Sequence, residues 1–156
     1  MRYSDLISKS NLNVAWRRIT TANNVRYKNY FRHILEAYEL SYKENLEDLF
    51  QRLKNNVYKP EDVIRIYYPK ASGLMRPITL LCLEDQIIYQ AIANFFADKV
   101  RNRREKLQGK IIFSNWLTHK RNSEFFLFDW KHGYFGMRKK IITMPFAKTG
   151  GGMSIM

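Results

Sequence analysis

The helical period of this sequence stops once, near Tyr58-Lys59-Pro60, and the residues on either side of that point follow different rules. Before it, Tyr27, Tyr30, Phe31, Ile34, Leu35 and Tyr38 recur at spacings of three and four, and Leu46, Leu49, Phe50 and Leu53 repeat the pattern after a short polar break. Residues three and four apart share one side of a helix, so each set predicts an amphipathic helix whose aromatic and aliphatic rows serve packing. Val14, Ala15, Arg18 and Ile19 predict a shorter helix ahead of these, with Asn11 or Asn13 as its N-cap. Beyond the break, residues 63–68 (VIRIYY) and part of residues 78–83 are β-branched and aromatic, with Pro69-Lys70-Ala71-Ser72-Gly73-Leu74-Met75-Arg76-Pro77 between them. Two extended runs joined through Ser-Gly predict a hairpin. Pro69 and Pro77 have no N–H to give a ladder, so pairing is expected only up to about those positions, with a free tip.

Glu84 and Asp85 then open a third strong helix, since carboxylates in a first turn complement the positive end of the helix dipole. Its apolar face is Ile87, Ile88, Ala91, Ile92, Phe95 and Phe96, it runs out in the basic residues 99–110, and Gln86, Tyr89, Gln90 and Asn94 fall mainly on its other faces. Short strands are expected at residues 111–113 and 125–128, followed by a helix with Trp130, Tyr134, Met137 or Arg138, and Ile141 in step. Residues 145–156, with Gly150-Gly151-Gly152 and no period, are expected to be disordered. The fold class is therefore α+β: N-terminal helices at 1–57 packed on a β-hairpin, a hairpin-and-helix region at 58–144, and a tail at 145–156.

Charge narrows the partners. The chain carries 27 Lys and Arg against 14 Asp and Glu, a formal +13, and from Lys99 onward 13 basic residues face only Glu105, Glu124 and Asp129. Like charges in such excess repel one another and weaken a fold unless a polyanion relieves them, although any one basic run also suits a solvated helix face. Aromatic residues make up 15% of the chain and are scattered through polar segments, which suits stacking on bases. A membrane-surface helix would instead segregate its cations from one apolar face, and no stretch approaches the roughly 18 apolar residues of a membrane span. RNA or DNA is the expected partner and a membrane is not. The single Cys82 excludes an internal disulfide and lies in an apolar run as a small hydrophobe. Residues 1–10 lack the apolar centre of a secretory signal, so a cytoplasmic location is expected. His33, His119 and His132 show no metal-ligand spacing, and nothing in the sequence orients Glu124 and Asp129 as an acid–base pair.

Lys70 and Arg76 flank the turn, so a hairpin brings together a point charge and a planar fork of donors that suit phosphate oxygens. Two exposed loop cations would show the same spacing. At these residues the chain resembles the fingers region of bacterial reverse transcriptases, in the group II intron-like and defence-associated (abortive-infection) branch. The pattern is Pro69-Lys70-x-x-Gly73-x-x-Arg76-Pro77-Ile78 followed by Asp85-Gln86-Ile87-Ile88-Tyr89-Gln90-Ala91, with Lys59-Pro60, Phe113-Ser114-Asn115 and Trp130-Lys131-x-Gly133-Tyr134 in keeping. The resemblance covers roughly residues 11–142 and is strongest at 58–96. It implies that Lys70 and Arg76 hold the triphosphate of an incoming nucleotide. Asp85, Gln86 and Gln90 would support the template path, a role that helix capping and packing fit equally well. Lys99, Arg101, Arg103, Arg104 and Lys106 are the expected nucleic-acid-binding residues.

The departure from that family is as informative as the match. Nucleotidyl transfer by such polymerases uses two metal ions held by palm carboxylates. After Asp129 the sequence has no Asp or Glu, and Tyr-x-Asp-Asp occurs nowhere. The expectation is an incomplete polymerase right hand without a palm active site: no catalytic residue, metal ligand or cofactor in this chain, with Mg²⁺ belonging to a complete enzyme. Its ending reads as a truncation, a shifted frame or one half of a split enzyme whose palm portion is encoded separately or missing. The alternative is a stand-alone basic RNA- or DNA-binding module without catalysis.

Overall fold

The computed structural model describes residues 3–21, 32–118 and 120–143. Its elements are α1 (Tyr3–Leu6), α2 (Lys9–Thr21), α3 (Arg32–Leu40), α4 (Tyr42–Lys54), β1 (Ile64–Pro69), β2 (Met75–Leu80), α5 (Leu83–Glu105) and α6 (Trp130–Thr143), an α+β arrangement. Tyr27, Tyr30, Phe31, His119 and the tail at 145–156 lie outside the described residues.

The core forms where three helices turn apolar rows toward one another. Leu12, Ala15 and Trp16 of α2 meet Leu46, Leu49 and Leu53 of α4 and Leu83, Ile87 and Ala91 of α5. The Trp16 ring lies 4.9 Å from that of Tyr38 and stacks on Tyr42 at 6.3 Å. Removing these rows from water is the main stabilising force, with each fully buried Leu or Ile contributing about 2 kcal/mol. α4 ends in a Schellman motif: Asn56 adopts φ 58°, its N–H reaches Leu53 O at 3.2 Å, and Val57 N–H reaches Arg52 O at 3.0 Å. This turn sets the chain toward β1. Arg52 then ties α4 to α5, donating to Glu84 at 2.5 Å and to Asp48 at 2.7 Å, and both carboxylates hold its guanidinium firmly protonated.

The structure shifts several boundaries. α2 starts before Asn11, so neither Asn11 nor Asn13 caps it; Ser8 Oγ accepts from Asn11 N–H at 3.3 Å instead. The ribbon does not stop at Pro77, because Tyr67 pairs with Pro77, Tyr68 with Arg76 and Pro69 with Met75. Lys70 N–H donates to Leu74 O at 2.8 Å, and hydrogen-bonded pairs alternate with non-bonded ones in an antiparallel ladder. Both prolines therefore fall on non-bonded pairs, where the missing N–H costs no ladder bond. β2 also ends earlier than the apolar run suggests, since Cys82 caps α5 by accepting from Asp85 N–H.

Residues 111–113 and 125–128 do not form strands. Each keeps one isolated bridge, Gln108 with Ile112 and Leu117 with Leu127: Ile112 bonds back to Leu107 and Gly109 in the turn after α5, while Thr118 N–H to Phe126 O and Phe128 N–H to Trp116 O join too short a stretch for a ladder. On α5 the buried row is Leu83, Ile87, Ala91, Asn94, Ala97 and Arg101. Asn94 thus faces inward, whereas Phe96 is exposed.

Candidate nucleotide and nucleic-acid interface

The ribbon places its cations by strand alternation. Ile66, Tyr68, Ile78 and Leu80 are its more covered residues and share one face, while Arg65, Tyr67, Met75 and Thr79 are exposed on the other. Arg76 pairs with Tyr68 and so belongs to the first face, and the alternation carried one residue past Pro69 puts Lys70 there too. Both are exposed. Gly73 makes the turn possible: its φ of +80° suits glycine, its N–H bonds to Lys70 O at 3.0 Å, and a Cβ there would meet nothing within 4 Å. The glycine is required by backbone conformation rather than by crowding. The β-ribbon pairs within itself far more than it packs on any helix. Its tip is accordingly open to a ligand.

Asp85, Gln86 and Gln90 hold the protein's own chain. Asp85 Oδ1 accepts from Tyr58 Oη at 2.8 Å, and Oδ2 accepts from Glu61 N–H and Cys82 Sγ, each at 3.1 Å, which pins the segment entering β1 to the start of α5. Burial, together with the Asp85 carboxylate, pushes the Tyr58 phenol well up, and burial raises the Cys82 thiol to about 11. Cys82 is only partly covered, serving as cap and donor rather than as core filler. Gln86 Nε2 donates to Leu81 O at 2.8 Å, closing the β2–α5 connection. Gln90 Nε2 donates to Asn94 Oδ1 at 2.8 Å and so joins a buried network.

That network is the feature sequence reading missed. Arg18 and Asn94 are both buried, and Arg18 Nη1 donates to Asn94 Oδ1 at 2.5 Å. Arg18 Nη2 and Nε donate to the carbonyls of Arg121 and Ser123 at 2.6 and 2.9 Å, and its guanidinium lies 5.0 Å from the Phe126 ring. Asn94 Nδ2 donates to Asn11 Oδ1 at 3.1 Å, and Asn11 Nδ2 in turn donates to Leu6 O and Ala91 O. Burial, with Arg101 nearby, lowers the Arg18 pKa. The one signal available in sequence was that Asn94 stands three residues after Ala91 and seven after Ile87, in the helical step of the buried row.

The basic segment divides in the same way. Arg101 is buried, paired with Asp98 at 3.1 Å and donating to Thr118 O, while Arg104 donates to Ser114 O and Asn115 O at 3.2 and 2.8 Å. These two arginines clamp the loop after α5: Arg101 is buried, while Arg104 is half-buried, with its Nε covered and without a hydrogen-bond partner among the described residues. Lys99, Arg103 and Lys106 are exposed. Among the described residues no cluster of three or more His, Cys, Asp or Glu side chains is arranged to hold a metal ion, and no helix is long and apolar enough to cross a membrane. No protein-family model, curated protein or solved structure matches the chain.

Proposed function

We propose that this chain is the fingers portion of an RNA-directed DNA polymerase, gripping the incoming nucleotide's triphosphate at the β1–β2 tip and template nucleic acid along the exposed cations of α5. The observation carrying this reading is the placement of Lys70 and Arg76 on one face of an open ribbon beyond a turn that only glycine makes cheaply. A lysine offers a compact charge and an arginine a bidentate fork, and a triphosphate offers oxygens to both. The 156 residues carry no Tyr-x-Asp-Asp, so in this reading the metal-held chemistry falls to a palm portion outside these residues.

The test is titration of the purified chain with a fluorescent deoxynucleoside triphosphate. Lys70→Ala and Arg76→Ala are each expected to weaken binding about tenfold, and Arg76→Lys is expected to recover only part of it, because the fork is lost. Equal binding by wild type and the Lys70→Ala/Arg76→Ala double variant would overturn the assignment. With Mg²⁺, primer and template, the chain alone is expected to extend nothing.

A second reading, a basic nucleic-acid-binding module acting without a polymerase, is favoured by the exposure of Lys99, Arg103 and Lys106 on successive turns of the α5 end. It predicts steeply salt-dependent RNA binding that the Lys70→Ala/Arg76→Ala variant leaves intact.

A further inference from the structure

α6 carries a group of exposed aromatic side chains, Trp130, Tyr134 and Phe135. α6 is drawn against the loop before it by two glycines. A Cβ on Gly133 would fall 1.8 Å from Phe113 O, and one on Gly136 would touch the rings of Phe113 and Trp116. With that side fixed inward, Trp130, Tyr134, Met137 and Ile141 form one outward row at spacings of four, three and four, and Lys131, Phe135, Arg138 and Ile142 form the next. Trp130 is 66% exposed and Phe135 57%. Their rings form a connected series, Trp130 to Tyr134 at 5.9 Å and Tyr134 to Phe135 at 5.7 Å, all edge-on. At the helix start the Phe128 ring lies 5.7 Å from His132, beside a cavity of about 490 Å³ lined by Phe125, Leu127 and Phe128 with Lys120 and Asp129 at its edge.

We infer that this α6 face is a stacking platform for single-stranded nucleic acid. Charge complementarity selects the occupant: α6 exposes Lys131, Arg138 and Lys139 and carries no acidic residue, while Lys140 turns back to Lys110 O and the Phe113 ring. A second copy would bring two such helices together against their own repulsion. A lipid surface is disfavoured because Lys131 and Arg138 alternate with Phe135 and Ile142 in one row instead of occupying the opposite side. Splayed bases present flat faces to Trp130, Tyr134 and Phe135 while the phosphates between them meet the interleaved cations, and stacking of this kind tolerates any sequence. The inference shares with the proposed function only the need for a polynucleotide, and it is independent of Lys70 and Arg76.

The experiment uses the full chain and two fluorescein-labelled probes, a 12-nucleotide oligouridylate and an abasic oligodeoxynucleotide of equal length. The base-bearing probe is expected to bind about tenfold more tightly and to quench the part of the tryptophan emission that comes from exposed Trp130, Trp16 being buried at 4% and Trp116 half-buried against Gly136. Trp130→Ala/Tyr134→Ala is expected to abolish both the preference and the quenching with no change in abasic binding, while Trp130→Phe retains the preference. Lys70→Ala/Arg76→Ala is expected to keep it, which separates failure of the ribbon from failure of this face. Equal affinity of wild type for both probes would overturn the proposal. So would a mass by light scattering that rises with protein concentration and is normalised by Trp130→Ala/Tyr134→Ala without loss of oligonucleotide binding, which would make the face an interface between copies.

Discussion

Arg18 shows how much one residue can decide. Its three donors satisfy a side-chain oxygen and two loop carbonyls, so Arg18→Ala leaves Asn94 Oδ1 with one fewer donor and Arg121 O and Ser123 O without this one. Chemical denaturation is expected to show a loss of about 3 kcal/mol, which Arg18→Lys does not restore because an ammonium cannot span the same three acceptors. A loss no larger than that of an exposed control such as Arg17→Ala would show the network to be ornamental. Cys82 gives a second prediction at this scale. Its folded-state pKa is raised to about 11, chiefly by burial, so the thiolate is disfavoured in the folded chain. The resulting stabilisation is fully present below the thiol's ordinary value near 9 and is lost as pH rises through about 11, with the raised Tyr58 phenol adding in the same direction. Denaturation midpoints recorded from pH 8 to 11 should fall, and Cys82→Ser should flatten part of that decline. At pH 8 the native thiol should alkylate far more slowly than in denaturant.

At the scale of elements, the two conspicuous glycines act for opposite reasons. Gly73 has open space around it but a left-handed backbone, so Gly73→Ala should cost about 1 kcal/mol and leave the ribbon's register intact. Gly133 has no such φ but sits against Phe113 O, so Gly133→Ala must push α6 off its loop. The expected cost is about 3 kcal/mol, with rising hydrogen exchange across residues 130–143 as the local readout. Equal effects of the two substitutions would contradict this division. The sequence displayed the ribbon plainly, because β-branched residues flank a Ser-Gly turn. It could not display the close approach at Gly133, which depends on where residues 111–116 travel after α5.

For the whole molecule, the +13 charge is a destabilising field that the fold relieves only in part. Arg18 and Arg101 are turned inward on carbonyls and on Asp98, and Arg104 is held half-buried on loop carbonyls, which leaves most of the remaining lysines and arginines at the surface. Because repulsion among exposed charges is screened within about 10 Å at 0.1 M salt, raising NaCl from low to moderate concentration should raise the melting temperature, and a short polyanion should do so at far lower concentration. A melting temperature that falls with salt would mean that exposed ion pairs, such as Lys9 with Glu47 at 2.7 Å, outweigh the repulsion.

The sequence by itself determined the helices, the ribbon and the α+β class, since periods of 3.6 and 2 and a Ser-Gly turn are local properties of the chain. It also put Lys70 and Arg76 on either side of one turn, because both flank the Ser-Gly step, while the strand register gave Arg76 its face. Only the tertiary structure decided which of the basic residues remain available. Arg101 and Lys99 stand two positions apart in one basic run, yet one is buried on a loop carbonyl and the other meets solvent. That difference follows from where the carbonyls of Thr118, Arg121 and Ser123 lie against α2 and α5, long-range contacts that no window of sequence contains.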